Sequence, residues 1–212
     1  MNRILLAIGN YKWGTGSSVI AAFVVFLGGI FITQYVTKGR IDLMAMVNRS
    51  SGINLVLEAN PGWEYFENHS RTTLYSIRER SSGNTALIDL AVLTSAQMKA
   101  RACDAAALPP HGAQFAGAAA GMVCFQIVKP KDSESPYVSA VSFTAKAKKS
   151  EVAYFYRTLF ANEGFRISGL QDSVHFTILD VEDKRHNTVA RVSMRSAFDT
   201  SYVFIAWTAD FR

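Results

Sequence analysis

The side chains that could hold a metal ion are few and widely separated in this sequence. Its four histidines are His69, His111, His175 and His186. None has a second ligand at the spacing of a zinc site, and the H-E-x-x-H pattern is absent. Only two cysteines occur, which is too few for a zinc knuckle. We therefore expect no metal and no other cofactor.

Residue patterns of covalent catalysis are also missing. No serine lies in a G-x-S-x-G turn, the arrangement that exposes a nucleophile in many hydrolases. The nearest match to a phosphate-binding loop is GTGSS from Gly14, but it lacks the lysine and opens an apolar run. The sequence therefore favours a noncatalytic protein, and an anchored enzyme of unrecognised type is the weakest alternative.

The two cysteines, Cys103 and Cys124, can form a disulfide. An even pair without metal-ligand companions suits a disulfide in an oxidising compartment. Such a bridge closes a loop of about 22 residues and stabilises the domain by about 3 kcal/mol. Two buried free thiols are the alternative, since cysteine is a common small core residue.

Two short clusters are candidate partner surfaces. The first is aromatic, and the second is basic and precedes an amphipathic helix, where positive charge interacts unfavourably with the helix dipole. The lysines are therefore not there to stabilise the helix, and they could face lipid headgroups or an acidic partner. The alternative for the aromatic residues is that they belong to the ordinary core and its rim. The alternative for the lysines is that they form a solvated turn. The clusters are Trp63, Tyr65 and Phe66, and Lys146, Lys148 and Lys149.

A long uncharged run of the chain extends from Gly14 to Thr37. A membrane core of about 30 Å needs roughly 20 apolar helical residues. We expect a transmembrane helix over residues 17–37, a short tail over residues 1–16 and a juxtamembrane stalk over residues 38–52. A cleaved signal peptide fits less well because the run is long and lacks an A-x-A-like site. A buried helix of a soluble protein would usually show a polar face.

Small residues recur along one side of this predicted span. Such a face lets two helices approach closely, so it indicates a partner inside the membrane, either another envelope protein or a second copy of this chain. The residues are Gly14, Ser18, Ala22, Gly29 and Thr33.

Charge does not settle the orientation of the span, because basic residues flank it on both sides. The predicted disulfide favours an oxidising compartment for the C-terminal part. We therefore predict a single-pass protein of a bacterial inner membrane, with the N-terminus in the cytoplasm and the C-terminal domain in the periplasm. The net charge of +5 is too mild to indicate a nucleic-acid partner.

Residues 53–212 have the length and composition of one extracytoplasmic domain, with a division into two halves near residues 129–136. Alternating and β-type runs predict a mainly antiparallel sheet. An alanine-rich segment, Ser95–Leu108, and a periodic segment capped by Ser150 and ended by Gly164 predict two helices. The predicted fold is α+β: one N-terminal transmembrane helix, then the sheet with about two helices packed on it. A purely β sandwich is the alternative. The β-type runs begin at Ile53, Thr72, Thr85, Met122, Tyr137, Phe165, Val174, Thr188 and Tyr202.

These features together predict a noncatalytic membrane-anchored accessory or assembly component of a cell-envelope protein complex, acting by protein–protein contacts. A ligand-binding or sensory extracytoplasmic domain is the first alternative. It would need a pocket lined by residues such as the three aromatics of the first cluster.

Overall fold

The computed structural model describes residues 52–69, 72–93, 96–104, 107–110, 115, 121–129, 131 and 134–211. The predicted tail, transmembrane helix and helix-pairing face lie outside these residues, as does the stalk before residue 52. Within the described ranges, no helix is both long enough and apolar enough to cross a membrane.

The described residues form two α-helices and ten strands. Helix α1 covers residues 52–59 and helix α2 covers Lys149–Asn162, and a short 3₁₀ turn, Leu90–Val92, follows β3. The strands in chain order are β1 Trp63–Asn68, β2 Leu74–Glu79, β3 Thr85–Asp89, β4 Gln97–Arg101, β5 Val123–Val128, β6 Tyr137–Ala145, β7 Arg166–Asp172, β8 Phe176–Glu182, β9 Thr188–Ala197 and β10 Thr200–Thr208.

The strands form two antiparallel sheets. The small sheet has the order β1-β2-β3, and the large sheet has the order β4-β5-β6-β10-β9-β8-β7. The prediction of helices packed with antiparallel sheets is confirmed. The C-terminal strand β10 lies between β6 and β9, as predicted from its apolar residues on both faces.

Two hydrophobic cores cover the two faces of the large sheet. On one face, Val203 and Ile205 of β10 pack with helix α2, which contributes Tyr156 and Phe160. On the other face, Phe204 of β10 packs in the core shared with the small sheet and α1. Adjacent β10 side chains thus point into different cores, so this strand holds the layers together.

The alanine-rich segment is not a helix. Part of it forms strand β4, which pairs with β5 along its whole length, and Met98 is completely buried. Alanine has a strong intrinsic helix preference, but that preference is worth less than 1 kcal/mol per residue. Strand pairing and burial of Met98 outweigh it here, so the prediction of a helix over Ser95–Leu108 was wrong.

The run from Ile53 was predicted as a strand, but residues 52–59 are helical. Its two buried residues, Ile53 and Val56, are three positions apart, which places them on one face of a helix. The N-cap of α2 is Lys148 rather than the predicted Ser150. Gly164 follows that helix with φ of 79°, the left-handed conformation expected of a residue that ends a helix.

Side chains close two of the four outer strand edges. The Asn60 amide donates to the carbonyl oxygen of Met98 and accepts from the amide of Ala100, both at 2.6 Å, on the outer side of β4. The Ser142 hydroxyl accepts from the amide of Leu87 in β3 at 2.9 Å. The backbone groups bonded in this way cannot pair with a further strand at those positions.

Cys103 and Cys124 lie at disulfide distance, as predicted, with a Cα–Cα separation of 5.2 Å. Cys124 is buried in β5, whereas Cys103 follows β4 and is exposed. The bridge ties outer strand β4 to its neighbour β5.

Candidate functional site

A cavity of about 280 Å³ lies where the small sheet meets the end of the large sheet. Glu67 of β1 and His69, which follows β1, lie on one side, and residues at the start of β8 and the end of β9 lie on the other. The lining residues are Glu67, His69, Thr72, His175, Phe176, Arg195 and Ser196.

An ion pair crosses this cavity and joins the two sheets. The Arg195 guanidinium donates through both terminal nitrogens to the two carboxylate oxygens of Glu67, each at 2.9 Å. Paired bonds of this kind are stronger and more directional than a single contact. Neither charged group is therefore free to bind a ligand without breaking this pair.

His69 lies behind the ion pair, mostly buried. Its Nε2 is 3.0 Å from the Ser76 hydroxyl, and its Nδ1 is 3.6 Å from a carboxylate oxygen of Glu67. Burial, and then the positive charge of Arg195, lower the pKa of His69 from 6.5 to about 4. The imidazole is therefore neutral at pH 7.

Serine, histidine and carboxylate occur here in the order of a hydrolase triad, but the arrangement cannot work as one. Ser76 is 1% exposed and does not line the cavity, so a substrate carbonyl cannot reach its oxygen. The carboxylate of Glu67 is held by Arg195 instead of orienting the imidazole. The three residues connect β1 to β2 and do not form a catalytic site.

A second polar cluster joins the sheets deeper in the domain. The Asp89 carboxylate is fully buried and accepts bonds from Arg191 at 2.8 Å and Ser193 at 2.7 Å, and also from Thr73 and the amide of Ala91. Arg191 also donates to Asp180 at 2.9 Å. Burial raises the pKa of Asp180, and the charge of Arg191 opposes that rise. This network has the form of a structural tie between β3 and β9.

The predicted aromatic cluster is split by the fold. Trp63 is buried, and its ring lies 6.4 Å from that of Phe125. Tyr65 and Phe66 are instead 50% and 43% exposed. The register with β2 shifts at Phe66, and the guanidinium of Arg78 lies 3.6 Å from the centre of the Phe66 ring. The two exposed rings lie on β1, an outer strand, and not in a pocket with Trp63.

The three lysines of the predicted basic cluster differ in their exposure to solvent. Lys146 and Lys148 are exposed. The Lys149 side chain is 14% exposed, and its ammonium bonds within the domain: to the Asp172 carboxylate at 2.8 Å, the Thr177 hydroxyl at 2.9 Å and the carbonyl oxygens of Ser173 and Phe176. Only the first two are placed to meet a partner.

Sequence reasoning missed the cavity because its parts are distant along the chain. Glu67 lies in β1 and His69 directly follows that strand, and this spacing of two, which places side chains on one face of extended chain, could have been noticed. Arg195 lies 128 residues after Glu67, and no local pattern connects them. Among the described residues, no group of three or more His, Cys, Asp or Glu side chains is arranged to hold a metal ion.

No protein-family model, curated protein or solved structure matches this chain.

Proposed function

We propose that this chain is a noncatalytic, membrane-anchored accessory or assembly component of a cell-envelope protein complex, and that it binds its partner through β1. The observation that carries this proposal is the pair of exposed rings, Tyr65 and Phe66, on an outer strand. Aromatic residues and arginine are enriched where protein interfaces bury their centres. Arg78, which lies against Phe66, belongs to the same surface.

The condition of the other strand edges supports the choice of β1. Asn60 and Ser142 close β4 and β3. The outer strand β7 carries one large exposed apolar residue, Leu170, and no aromatic. Among the outer strands of the described sheets, β1 is thus the one that carries large exposed rings, which can contribute to a partner contact.

The proposed location is the inner membrane, with the C-terminal domain in the periplasm. The uncharged run over residues 17–37 supports a single inner-membrane span, and the disulfide supports a periplasmic position for the domain. The small-residue face of the span adds a second contact with a membrane partner or another copy of this chain.

Photo-crosslinking in cells tests the proposed surface. A photoreactive phenylalanine analogue at position 65 or 66 should form a discrete protein adduct. The matched control is position 154 on α2, where Tyr154 is 72% exposed. Adducts of equal yield at position 154, or no adduct at positions 65 and 66, would contradict the proposal.

A ligand-binding domain is the second candidate, and the cavity beside His175 favours it. A ligand-binding function predicts NMR chemical-shift changes confined to the residues that line the cavity when a library of small polar metabolites is added. Since Arg195 is occupied by Glu67, Glu67→Gln weakens that pair and frees the guanidinium, so binding of an anionic metabolite should strengthen on this change.

A further inference from the structure

Three connections come together at one end of the large sheet: residues 146–148 after β6, residues 173–175 before β8 and residues 198–199 after β9. They meet because Ala145 is paired with Ser201, and Phe176 with Arg195. We call the turns at 173–175 and 198–199 the tip.

The tip presents apolar side chains to solvent. Val174 is 83% exposed and Phe198 is 102% exposed, and Leu170 on the adjoining end of β7 is 52% exposed. Exposed apolar residues are common when scattered, but here they project from two neighbouring turns. These side chains contribute almost nothing to the core of the domain.

Phe198 also has a backbone conformation that its side chain disfavours. Its φ is 54°, in the left-handed region where glycine and asparagine are tolerated and a bulky side chain is strained. The turn would form more easily with asparagine. Neither packing nor backbone geometry accounts for phenylalanine at this position, and such strain is typical of a residue kept for function.

The tip is held in place by bonds to its neighbours. Lys149 binds the carbonyl oxygens of Ser173 and Phe176, as described above. The Ser196 amide donates to the carbonyl oxygen of His175 at 2.8 Å. The Thr200 hydroxyl donates to the carbonyl oxygen of Ala197 at 2.8 Å across the turn at 198–199. Next to this turn, the Ser201 hydroxyl donates to the carbonyl oxygen of Ala147 at 2.9 Å. The apolar side chains therefore project from turns that need little further ordering on binding.

We propose that the tip inserts Val174 and Phe198 into the headgroup region of a lipid bilayer. The proposal depends on the membrane attachment in the proposed function, since the domain begins 15 residues after the end of the predicted span at residue 37. Val174 and Phe198 project from two different turns. A lipid bilayer is fluid and can surround each side chain separately, whereas a protein partner would need a matching pocket for each.

Apolar insertion, and not charge, provides the attraction. Lys146, Lys148, Glu151 and Asp199 are exposed near the tip, and their charges cancel. Asp172, which is also exposed beside the tip, is paired with Lys149 and Arg157. His175 in the tip is exposed and flanked by Val174. Binding should therefore persist on zwitterionic phosphatidylcholine, which has no net charge, and change little with salt.

Site-specific fluorescence on the full chain tests this proposal. Both native cysteines are in the disulfide, so Val174→Cys supplies one free thiol for an environment-sensitive dye. The control is Arg185→Cys in the exposed turn after β8, at the other end of a strand about 20 Å long. The labelled chains are reconstituted into phosphatidylcholine vesicles with and without nitroxide-labelled lipid.

We expect the nitroxide to quench the dye at position 174 at least about twofold more than the dye at position 185. Equal quenching at the two positions, in chains that float with the vesicles, would overturn the tip proposal and leave the anchor intact. A blue shift at position 174 without quenching would also overturn it, because the tip would then be packed on a second copy. A chain that does not float would overturn both the anchor and the tip.

Phe198→Asn separates a role in folding from a role at the membrane. Because asparagine suits the left-handed turn, this variant should unfold at the same or a higher temperature. Quenching at position 174 should nevertheless fall to the level of position 185. The matched control is His186→Asn, at the other end of β8 with φ of 63°, which should leave quenching at position 174 unchanged. Unchanged quenching in Phe198→Asn would overturn the role of Phe198.

Discussion

Removing the Asp89 carboxylate should loosen the contact between the two sheets. This side chain is 0% exposed, and it accepts from Arg191 and Ser193 of the large sheet and from Thr73 of the small-sheet side. Asp89→Ala leaves the Arg191 guanidinium, itself only 15% exposed, with Asp180 as its remaining carboxylate partner in this network. Breaking a buried ion pair in this way costs about 3–5 kcal/mol.

That cost is a large fraction of the free energy of unfolding of an ordinary domain, which is about 5–15 kcal/mol. For a domain of this size each kcal/mol lowers the melting temperature by about 2–4 °C, so we expect a fall of about 10 °C. Thermal unfolding followed by circular dichroism measures it. The matched control is Asp210→Ala, an exposed aspartate whose loss should change stability by about 0.5 kcal/mol or less.

A double-mutant cycle then tests the cause. Replacing Asp89 and Arg191 together by apolar residues should cost less than the sum of the two single replacements, because the Asp89–Arg191 bond is lost only once, while Asp180 loses Arg191 in both Arg191 variants. Equal melting temperatures for Asp89→Ala and Asp210→Ala would refute the reasoning, as would strictly additive costs in the cycle.

Three further outcomes follow from the contacts described above. Asn60→Ala leaves the Met98 carbonyl and the Ala100 amide of β4 without their side-chain partner, so the free energy of unfolding measured in denaturant should fall by about 2–3 kcal/mol. Hydrogen exchange of the Ala100 amide should also become faster, and an unchanged exchange rate would contradict this prediction. The folded state favours neutral His69, whose pKa is about 4 against 6.5 unfolded, so stability should fall as the pH drops from about 6.5 to 4. Because solvent screens part of this effect, the free energy of unfolding should fall by about 1–2 kcal/mol. His69→Gln lacks the titrating group, so the difference in unfolding free energy between the unaltered chain and this variant should change between pH 6.5 and 4. Reducing the Cys103–Cys124 bridge should lower the free energy of unfolding by about 3 kcal/mol. A melting temperature that stays the same after reductant is added would contradict this prediction.

The parts of the fold that could be predicted are those whose local pattern agrees with their packing. Strand β10 is apolar on both faces because it is central, and α2 repeats its buried residues at helical spacing. Strand β4 could not be predicted, because alanine favours a helix and only pairing with β5 reverses that preference. Helix α1 was missed for the opposite reason, since Ile53 and Val56 belong to residue types that favour strands.

The candidate site was less predictable than the fold. The aromatic cluster was visible in sequence, but its split into buried Trp63 and exposed Tyr65 and Phe66 depends on the register shift in β1. Lys149 could not be distinguished from Lys148 by sequence, because its partners are provided by the β7–β8 turn, more than twenty residues away. Contacts across such distances arise from the topology of the sheets, which short patterns do not encode.

The most direct test of the proposed function is gentle detergent extraction of the native membrane, followed by size separation and identification of the proteins that travel with this chain. We predict reproducible migration in one large complex. The combined change Tyr65→Ser and Phe66→Ser should release the chain from that complex, while Tyr154→Ser should not. Migration of the unaltered chain as a lone monomer or homodimer would contradict the proposal that it serves an envelope complex.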